Sequence, residues 1–305
     1  MREEDLPALL RARYGLENAS LEFLREGGGR SYLVRGAEKY LLKVIGGAFA
    51  DTARQSVSIQ RFLEESGFPV PKTVLTGDGA PILEVAEDGE TRLLVLQEFL
   101  EGEEPDLEED AAAAGELTGR LHALLERCPV QPPLRGRAFF IGRYLDFLRQ
   151  KACPALSAYE ELGEALWKKV EGLPMGICHG DLHRGNLLKT RDGQLYLLDF
   201  DTLCRAPRMF DVAVLCDMTD YFRLTPAGIS AARAVYRSFL SGYSRYQSLS
   251  REELLSFQAW VAIRHFQLQA TIFELYGPDC VDERFPDAQL RWLRRWLAEP
   301  EESFL

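Results

Sequence analysis

The first third of the chain alternates between apolar and polar residues in the way that β-strands do. Residues 21–44 predict three short strands, because two glycine-containing turns separate their apolar runs. Within residues 51–66 the apolar positions recur at helical spacing, which predicts a helix that ends before Gly67. Strand signals continue over residues 72–75 with 81–85, and then over residues 92–100. The first third is therefore predicted to be rich in β-structure, with one main helix.

Helical periodicity fills the chain after residue 110, with one interruption. The predicted helices cover residues 111–127, 139–151, 156–170, 226–243, 251–276 and 287–297. Between residues 177 and 201 the pattern instead predicts a loop, a short strand, a turn and a second short strand. The sequence thus predicts an α+β fold of two lobes, a small antiparallel β-sheet lobe and a larger, mainly helical lobe.

Composition narrows the class of protein and its partners. With 305 residues, of which 46% are hydrophobic and 27% charged, the chain has the composition of an ordinary globular protein. Its formal net charge of −11 opposes the phosphate backbone of nucleic acids, so we expect no nucleic-acid partner. The six cysteines form no C-x-x-C pair, which favours reduced thiols.

Charge along the chain bears on localisation. Residues 1–10 carry four charged side chains and lack the apolar core of a signal peptide. No uncharged apolar run approaches the roughly 18 to 20 residues that a membrane-spanning helix needs. We therefore expect a cytoplasmic protein without membrane contact, and the sequence leaves its oligomeric state unpredicted. The acidic stretch at residues 98–110 either contacts a cationic substrate or forms a solvated linker.

Two neighbouring motifs carry the most specific chemical signal. Residues 179–186 read His-Gly-Asp-Leu-His-Arg-Gly-Asn, and residues 198–201, after a predicted hairpin, read Leu-Asp-Phe-Asp. Phosphoryl transfer needs a carboxylate that deprotonates the attacking hydroxyl, together with oxygen ligands that hold magnesium on the phosphates. Asp181 can supply that carboxylate, and Asn186 and Asp199 can supply hard oxygen ligands. Alternatively, Asp181 and Asn186 are turn residues and Asp199 caps a strand.

A glycine run and a lone lysine lie in the predicted β-rich part. Gly27, Gly28 and Gly29 separate two predicted strands, where glycines could let the backbone approach the phosphates of a nucleotide. A hairpin without a ligand is the alternative. Lys43 lies within the apolar run Tyr-Leu-Leu-Lys-Val. An ammonium is costly to bury unless it finds an anion, and a nucleotide phosphate would provide one.

These motifs resemble those of the aminoglycoside phosphotransferase and choline kinase superfamily. Its signature takes the form H-G-D-x-H-x-x-N, followed by an apolar strand and D-F-D or D-F-G, and both parts match here. The resemblance covers nearly the whole chain in order. It implies a bilobal protein-kinase-like fold with a nucleotide-binding lobe over residues 1–96, a hinge over residues 97–103 and a helical catalytic and substrate lobe over residues 104–305.

The resemblance also implies a kinase that uses ATP and Mg²⁺ to move the γ-phosphoryl group to a hydroxyl group. Protein-kinase branches of the superfamily carry an H-R-D loop and an A-P-E segment, and this sequence has neither. The expected acceptor is therefore a small molecule, such as an amino alcohol, a sugar or an aminoglycoside-like compound. The homoserine, choline and spore-coat kinase-like branches match the Asp-Phe-Asp ending at least as well as the antibiotic-modifying branches do.

Within this resemblance, Asp181 looks like the catalytic base, and Asn186 and Asp199 look like the magnesium ligands. Asp201 stands where many members have glycine, and it is a candidate for an additional contact to metal or substrate. The residues expected to brace the catalytic loop are His179, His183 and Asp211, of which Asp211 belongs to a segment similar to the family's P-x-x-D-L-A pattern.

The resemblance assigns nucleotide binding to a lysine and to backbone groups. Lys43 looks like the residue that holds the α- and β-phosphates of ATP. The expected phosphate contacts from the glycine segment are Gly28, Gly29 and Ser31. The backbone groups expected to contact the adenine are those of Glu98 and Leu100 in the hinge.

The helix after Lys43 departs from the family pattern. A glutamate there usually orients the lysine, whereas this sequence has Gln55 or Ser56 at the corresponding position. The departure favours an alternative function, a catalytically weak or inactive kinase-like protein that binds nucleotide or has a structural role. Asp181 and the two metal-ligand candidates favour the enzyme, because a binding module needs no catalytic base.

The acceptor site has the weakest signal. Arg264, His265 and Glu274 occur among aromatic residues of the predicted helix over residues 251–276. They are candidates to line an acceptor pocket, because polar groups among aromatic ones are typical of ligand sites. The alternative is that this helix contributes only packing.

Overall fold

The computed structural model describes residues 3–26, 29–87, 89–277 and 279–305. The chain forms two compact units, each assembled from separate stretches of sequence. The first unit comprises Met1–Glu104, Cys128–Pro132 and Gly185–Thr202, and the second comprises Pro105–Arg127, Pro133–Arg184 and Leu203–Leu305. Residues 185–202, which include the predicted magnesium ligands Asn186 and Asp199, therefore group with the N-terminal stretch. The functional division into residues 1–96, 97–103 and 104–305 stays a prediction.

Helices and strands are numbered in chain order. The helices are α1 (Leu6–Tyr14), α2 (Ala50–Glu65), α3 (Leu107–Leu125), α4 (Arg143–Gln150), α5 (Leu156–Val170), α6 (Met209–Cys216), α7 (Gly228–Tyr243), α8 (Arg251–Leu255), α9 (Phe257–Tyr276) and α10 (Phe285–Leu297). The strands are β1 (Ser20–Glu26), β2 (Gly29–Arg35), β3 (Lys39–Ile45), β4 (Thr73–Val74), β5 (Leu83–Glu87), β6 (Glu90–Glu98), β7 (Met175–Cys178), β8 (Leu187–Lys189), β9 (Leu195–Leu197) and β10 (Cys204–Pro207). Short 3₁₀ turns cover Glu3–Asp5, Gly47–Phe49, Arg184–Asn186 and Glu301–Phe304, and a π-helical turn covers Ala138–Gly142.

An antiparallel sheet forms the centre of the first unit. Its strands β1, β2, β3, β6 and β4 are neighbours in that order, and β5 also pairs with β6. Leu42 and Val44 of β3 share one core cluster with residues of α1, whereas Ile45 shares another with residues of α2. Because side chains alternate between the faces of a strand, Lys43 belongs to the α2 face. The strand period thus places a lysine on the buried sheet face that packs against α2.

Backbone hydrogen bonds attach the hairpin of β8 and β9 to the first unit. The N–H of Leu197 donates to the carbonyl oxygen of Pro69 at 3.0 Å. Glu103 and Lys189 exchange backbone hydrogen bonds of 3.0 and 2.8 Å. These bonds fix residues 185–202 beside the segment that precedes β4 and the segment that follows β6.

The second unit is mainly helical and is centred on α6 and α9. The ring of Phe140 lies 4.8 Å from that of Phe210 and 5.3 Å from that of Trp260, measured between centroids. Strands β7 and β10 pair antiparallel within this unit, with Cys178 opposite Cys204. Within the described ranges, none of the helices combines the length and the apolar character that crossing a membrane requires.

Three features differ from the sequence predictions. Helix α6 was not predicted because all its residues are buried, so no polar face marks the helical period. The pairing of β7 with β10 was not predicted, because both strands are short and far apart in sequence. The single helix predicted over residues 251–276 is divided at Ser256 into α8 and α9. The Ser256 hydroxyl donates a hydrogen bond to the carbonyl oxygen of Glu253 at 2.6 Å, and this side-chain bond competes with continuation of the helix.

Two glycines allow α3 and α7 to pack in direct backbone contact. A Cβ added to Gly115 would clash with the carbonyl oxygen of Phe239, and one added to Gly242 would clash with the carbonyl oxygen of Ala112. Only backbone atoms and hydrogens fit where the helices cross. The crossing distance is therefore set by the absence of side chains at these positions.

We expect Gly242→Ala to lower the free energy of unfolding by about 3 kcal/mol, because α7 must move away from α3 to admit the methyl group. Chemical denaturation of the purified variant measures this loss. The matched control is Gly136→Ala, since nothing lies within 4 Å of a Cβ added there. Equal stability of the two variants would contradict the close crossing of α3 and α7.

Candidate active site

Lys43 is a buried cation of the first unit. It lies on β3 opposite Ser31 of β2 and Val95 of β6, and 9% of the residue is exposed. An ammonium at this depth needs an anionic partner. Its Nζ donates to Asp199 Oδ1 at 2.9 Å and to Asp201 Oδ2 at 2.8 Å. The Asp-Phe-Asp motif thus supplies two counter-charges for the lysine.

The charges of this cluster shift one another's ionisation. Burial alone lowers the pKa of the Lys43 ammonium, but the charges and hydrogen bonds of Asp201 and Asp199 raise it above its usual value. Burial opposes ionisation of Asp199, yet the charges of Lys43 and Arg25 hold its pKa well below the usual range. Burial raises the pKa of Asp201. The positive charge of Lys43 lowers this pKa and the negative charge of Asp199 raises it, so the net shift is upward. Of the two carboxylates, Asp199 therefore ionises the more readily.

Asp199 also has an unusual backbone conformation. Its φ of 60° lies in the left-handed region, which non-glycine residues adopt at a cost and which aspartate tolerates better than most. One residue earlier, the N–H of Leu198 donates to the carbonyl oxygen of Asn186 at 2.8 Å. Asn186 itself is buried, with 8% exposed. The hairpin thus holds Asn186 beside the residue that precedes Asp199, and both predicted magnesium ligands belong to the first unit.

Arg25 contacts this cluster, which the sequence analysis did not predict. It lies on β1, and its Nη2 donates to Asp199 Oδ2 at 2.7 Å while 64% of its side chain stays exposed. Asp199 thus contacts Lys43 through one oxygen and Arg25 through the other. An ion pair with so exposed a partner adds little stability, so Arg25 can leave Asp199 at low cost. Its signal in the sequence is its position two residues before the glycine run.

The glutamate expected on α2 is replaced by an acid from another part of the first unit. Ser56 is 4% exposed, and its hydroxyl has no hydrogen-bond partner among the described residues. Gln55 is partly buried on the same helix. Lys43 is nevertheless paired, because Asp201 stands where many members of the superfamily carry glycine. The lack of an acid on α2 therefore does not leave Lys43 unpaired, because Asp201 provides the carboxylate instead.

The glycine segment is described in part. Gly28 lies outside the described residues. Gly29 and Ser31 begin β2, and Ser31 is buried opposite Lys43. A Cβ on Gly29 would lie 2.6 Å from the carbonyl oxygen of Val44, so this position excludes a side chain. At Gly29 the backbones of β2 and β3 therefore approach each other too closely to leave room for a side chain.

The predicted hinge begins where β6 ends. The N–H of Glu98 donates to the carbonyl oxygen of Lys72 at 2.9 Å, and the N–H of Phe99 donates to that of Lys39 at 3.1 Å. Leu100 follows directly and is partly buried. These bonds hold the backbone at Glu98 and Phe99 in place. The Glu98 N–H is used in a hydrogen bond within the protein.

In the second unit, a buried carboxylate braces the His-Gly-Asp loop. Asp211, at the start of α6, is fully buried and accepts the N–H groups of His179 at 2.6 Å and Gly180 at 2.9 Å. His122 Nε2 lies 3.1 Å from the same carboxylate, and its Nδ1 lies 2.8 Å from the hydroxyl of Tyr243. Two backbone donors and one ring nitrogen therefore fix the loop that carries Asp181.

His122, Asp211 and Cys178 lie close enough together to be considered as a metal site. The thiol of Cys178 donates to the carbonyl oxygens of Ala206 at 3.5 Å and Pro207 at 3.6 Å. Burial raises the pKa of this thiol well above its usual value, whereas a metal ligand must be a thiolate. We therefore interpret the cluster as a structural brace.

Asp181 pairs with an arginine from α9. Arg264 Nη2 donates to Asp181 Oδ1 at 2.5 Å, and His183 Nε2 lies 3.6 Å from Asp181 Oδ2. The Arg264 side chain is 10% exposed and that of Asp181 is 32% exposed. The ring of His179 is fully buried and its Nδ1 accepts the Asp181 N–H at 3.4 Å. The second unit thus brings Asp181 together with both histidines of the motif and with Arg264.

The other two acceptor-site candidates do not contact Asp181 in this way. His265 is fully buried and its ring stacks on Trp292 at 4.5 Å between centroids. Burial lowers its pKa to about 3, so the imidazole is neutral at physiological pH. Glu274 pairs with Arg143 at 2.7 Å. His265 is therefore a packing residue of the second unit, and Glu274 is committed to an ion pair.

Asp211→Asn should lower the free energy of unfolding by about 3 kcal/mol at neutral pH, because it removes a charge that buried donors are arranged to stabilise. Burial alone raises the pKa of Asp211, but the hydrogen bond and charge of His122 lower it below its usual value. The wild-type advantage is therefore present above the unfolded-state pKa and should shrink as the pH falls below about 4.

Denaturant titrations at several pH values measure this difference. Glu161→Gln, an exposed carboxylate-to-amide change in the same unit, is the matched control and should leave stability within about 0.5 kcal/mol of wild type. If Asp211→Asn behaved like that control at neutral pH, the carboxylate would not be the brace of the loop.

Comparison with known proteins places the chain among phosphotransferases. Residues 20–249 match the model of the family described as "Phosphotransferase enzyme family". The chain is 26% identical to a homoserine kinase of Methylobacillus flagellatus over 79% of this chain and 74% of the kinase. It is also 26% identical to an uncharacterized protein of Deinococcus radiodurans over 95% of this chain and 89% of the relative.

Solved structures of kinases share the fold. The chain is similar to an amicoumacin kinase bound to AMP-PNP, Ca²⁺ and its antibiotic, with a TM-score of 0.77, 18% identity and coverage of 99% of this chain and 95% of that one. It is similar to a microcompartment-associated aminopropanol kinase with a TM-score of 0.76, 18% identity and coverage of 96% and 95%. The predicted α+β, protein-kinase-like fold and the resemblance to the aminoglycoside phosphotransferase and choline kinase superfamily are confirmed.

Proposed function

The chain belongs to the phosphotransferase enzyme family, and on this premise we propose that it moves the γ-phosphoryl group of ATP to a hydroxyl group of a small molecule. The homoserine kinase similarity supports an acceptor of that size. The solved kinases of the same fold, one of them bound to an ATP analogue and Ca²⁺, support the use of ATP with a divalent metal.

The observation that carries the proposal is the ion pair between the buried Lys43 and the partly buried Asp199. Phosphoryl transfer needs a fixed cation for the phosphates of ATP and an ionised oxygen ligand for magnesium. Lys43 is fixed on a strand, and Asp199 is held ionised next to it in a strained backbone conformation. Strained backbone concentrates at functional sites, where the surrounding structure maintains it.

Nucleotide binding is assigned to the first unit. Lys43 would exchange part of its contact with Asp199 and Asp201 for the α- and β-phosphates of ATP. The backbone of the glycine segment, with Gly28, Gly29 and Ser31, would donate N–H groups to the phosphates. Because the Glu98 N–H is already bonded, the Glu98 carbonyl and the Leu100 N–H are the groups assigned to the adenine.

Asn186 and Asp199 have the chemistry of magnesium ligands. An amide oxygen and an ionised carboxylate are hard oxygen donors, which Mg²⁺ prefers. Asp201 is the candidate for an additional contact to metal or substrate, and its raised pKa makes it the weaker anion of the pair. Magnesium bound with ATP would neutralise charge on the phosphates.

Asp181 is assigned as the general base. Its carboxylate accepts the proton of the acceptor hydroxyl while the hydroxyl oxygen bonds to the γ-phosphorus. The bond from that phosphorus to the bridging oxygen of the β-phosphate breaks, and ADP leaves with the bonding electrons. Asp211 acts as a positioning residue, because it holds the backbone on both sides of the His179–Gly180 bond. His179 and His183 support the same loop.

The alternative is a kinase-like protein with weak or no activity. The side chains of α2 that favour it are Gln55 and Ser56, which stand where an acid is expected. Asp201 restores a partner for Lys43, which removes the main argument for lost activity. Product formation by the wild-type protein separates the two functions.

Asp181→Asn should reduce the rate of phosphoryl transfer by about 10² to 10⁴-fold, because it removes the group that accepts the hydroxyl proton. ATP affinity should stay within about threefold of wild type, since the lost interaction belongs to the transition state. Steady-state kinetics and calorimetric ATP titration measure the two quantities. An equal loss of ATP affinity would count against Asp181 as the base.

A further inference from the structure

Arg264 is a buried cation whose neighbours along its helix are mainly apolar. It lies in the middle of α9, where Val261, Ile263 and Phe266 are fully buried. Only 10% of the arginine side chain is exposed. A guanidinium is costly to bury unless anions or acceptors satisfy it, and fold stability gives no reason to place one here.

The contacts of Arg264 satisfy it only in part. Its Nη2 donates to Asp181 Oδ1, and its Nη1 donates to the side-chain oxygen of Gln267. A guanidinium carries five N–H donors in one plane, and within the described part of the chain these two contacts are its hydrogen bonds. Gln267 in turn donates to Thr271 at 3.4 Å, so a second side chain holds the arginine in position. Donors therefore remain for a ligand.

Among the described residues, no carboxylate other than Asp181 forms an ion pair with Arg264. Asp217 lies near enough to feel this charge, but its carboxylate accepts the N–H of Thr219 at 2.9 Å and the hydroxyl of the same residue at 2.5 Å. Asp181 is the one direct carboxylate partner that the structure describes. When Asp181 accepts a proton from the acceptor, the carboxylate loses its negative charge. The positive charge of the Arg264 guanidinium is then no longer balanced by Asp181.

The position of Arg264 decides which acceptors fit. The acceptor hydroxyl must reach Asp181, which lies one hydrogen bond from the guanidinium. A group a few bonds away from that hydroxyl therefore comes within reach of the arginine. A carboxylate there could accept two parallel N–H donors, whereas an ammonium would meet a like charge. A purely cationic acceptor is thus disfavoured on this side of Asp181.

We propose that Arg264, positioned by Gln267, binds a carboxylate of the acceptor, so that the substrate class is small hydroxy acids, including hydroxy amino acids. This inference rests on the proposed phosphotransferase function. It assigns Arg264 as a specificity-determining residue, distinct from Asp181, which takes the proton. The acidic stretch at residues 98–110 then belongs to a solvated surface and need not attract a cationic substrate.

Two matched pairs of acceptors test the proposal. L-Homoserine differs from 3-aminopropan-1-ol, and L-serine from ethanolamine, only in the carboxylate. With ATP and Mg²⁺, we expect wild-type kcat/KM to be at least about tenfold higher for the carboxylate-bearing member of at least one pair. Arg264→Gln should reduce this ratio at least about tenfold, mainly through a higher KM for the carboxylate-bearing acceptor.

Arg264→Lys serves as the matched variant that keeps the charge but loses the planar donors, and it should show a ratio between those of wild type and Arg264→Gln. It also preserves a test if the glutamine variant fails to fold. A wild-type preference for ethanolamine, 3-aminopropan-1-ol or choline would overturn the carboxylate assignment and leave the proposed function intact. An equal loss with both members of a pair would make Arg264 a purely structural partner of Asp181. Failure to phosphorylate any hydroxyl compound would overturn the proposed function, and this inference with it.

Discussion

The buried ammonium of Lys43 is the constraint on which the first unit depends. The strand period places it on the buried sheet face that packs against α2, and α2 offers Gln55 and Ser56 there instead of an acid. Its charge must therefore be balanced from elsewhere in the unit, and the carboxylates come from Asp199 and Asp201, 156 and 158 positions along the chain. This long-range pairing gives residues 185–202 a reason to fold with the N-terminal sheet. It also concentrates positive and ionised negative groups at one place, as nucleotide chemistry requires.

The second unit satisfies its buried charges by a different arrangement. Asp211 is fully buried, but backbone N–H groups and His122 surround it, so its role is complete within the protein. Arg264 is also buried, yet its described hydrogen bonds use only part of its donor capacity. The contrast distinguishes a charge that braces a loop from a charge that is available to a ligand. The unused donors of Arg264 beside the partly exposed Asp181 are the basis on which we propose that Arg264 binds the acceptor.

Local sequence was sufficient for the elements whose pattern is regular. Strands β1–β3 and β6 were predictable because short apolar runs are separated by glycine-containing turns. Helices α2 and α5 were predictable because their apolar residues recur at helical spacing and glycine or proline lies near their ends. Helix α6 was not, since its residues are uniformly buried and carry no period. The division between α8 and α9 was not predictable either, because a single serine side-chain bond decides it.

The candidate site was predictable to the extent that its motifs are contiguous. The segment from His179 to Asn186 and the Asp-Phe-Asp motif identify the carboxylates, and a lysine in an apolar run indicates a buried cation. The pairing of Lys43 with Asp201, and of Arg25 with Asp199, depends on the tertiary fold and on which side chains happen to replace the missing acid of α2. The contact between Arg264 and Asp181 has the same origin, since no local pattern connects residues 83 positions apart.

Calorimetric titration of ATP into the wild-type protein and into Asp199→Asn, with Mg²⁺ and with a chelator, tests the nucleotide site most directly. We predict that Mg²⁺ tightens ATP binding to the wild type at least about tenfold, and that Asp199→Asn loses most of this gain because it removes an ionised metal ligand. Asp192→Asn, a change at an exposed aspartate of the same unit, should retain it. Wild-type ATP binding that is absent, or that is indifferent to Mg²⁺, would contradict the account.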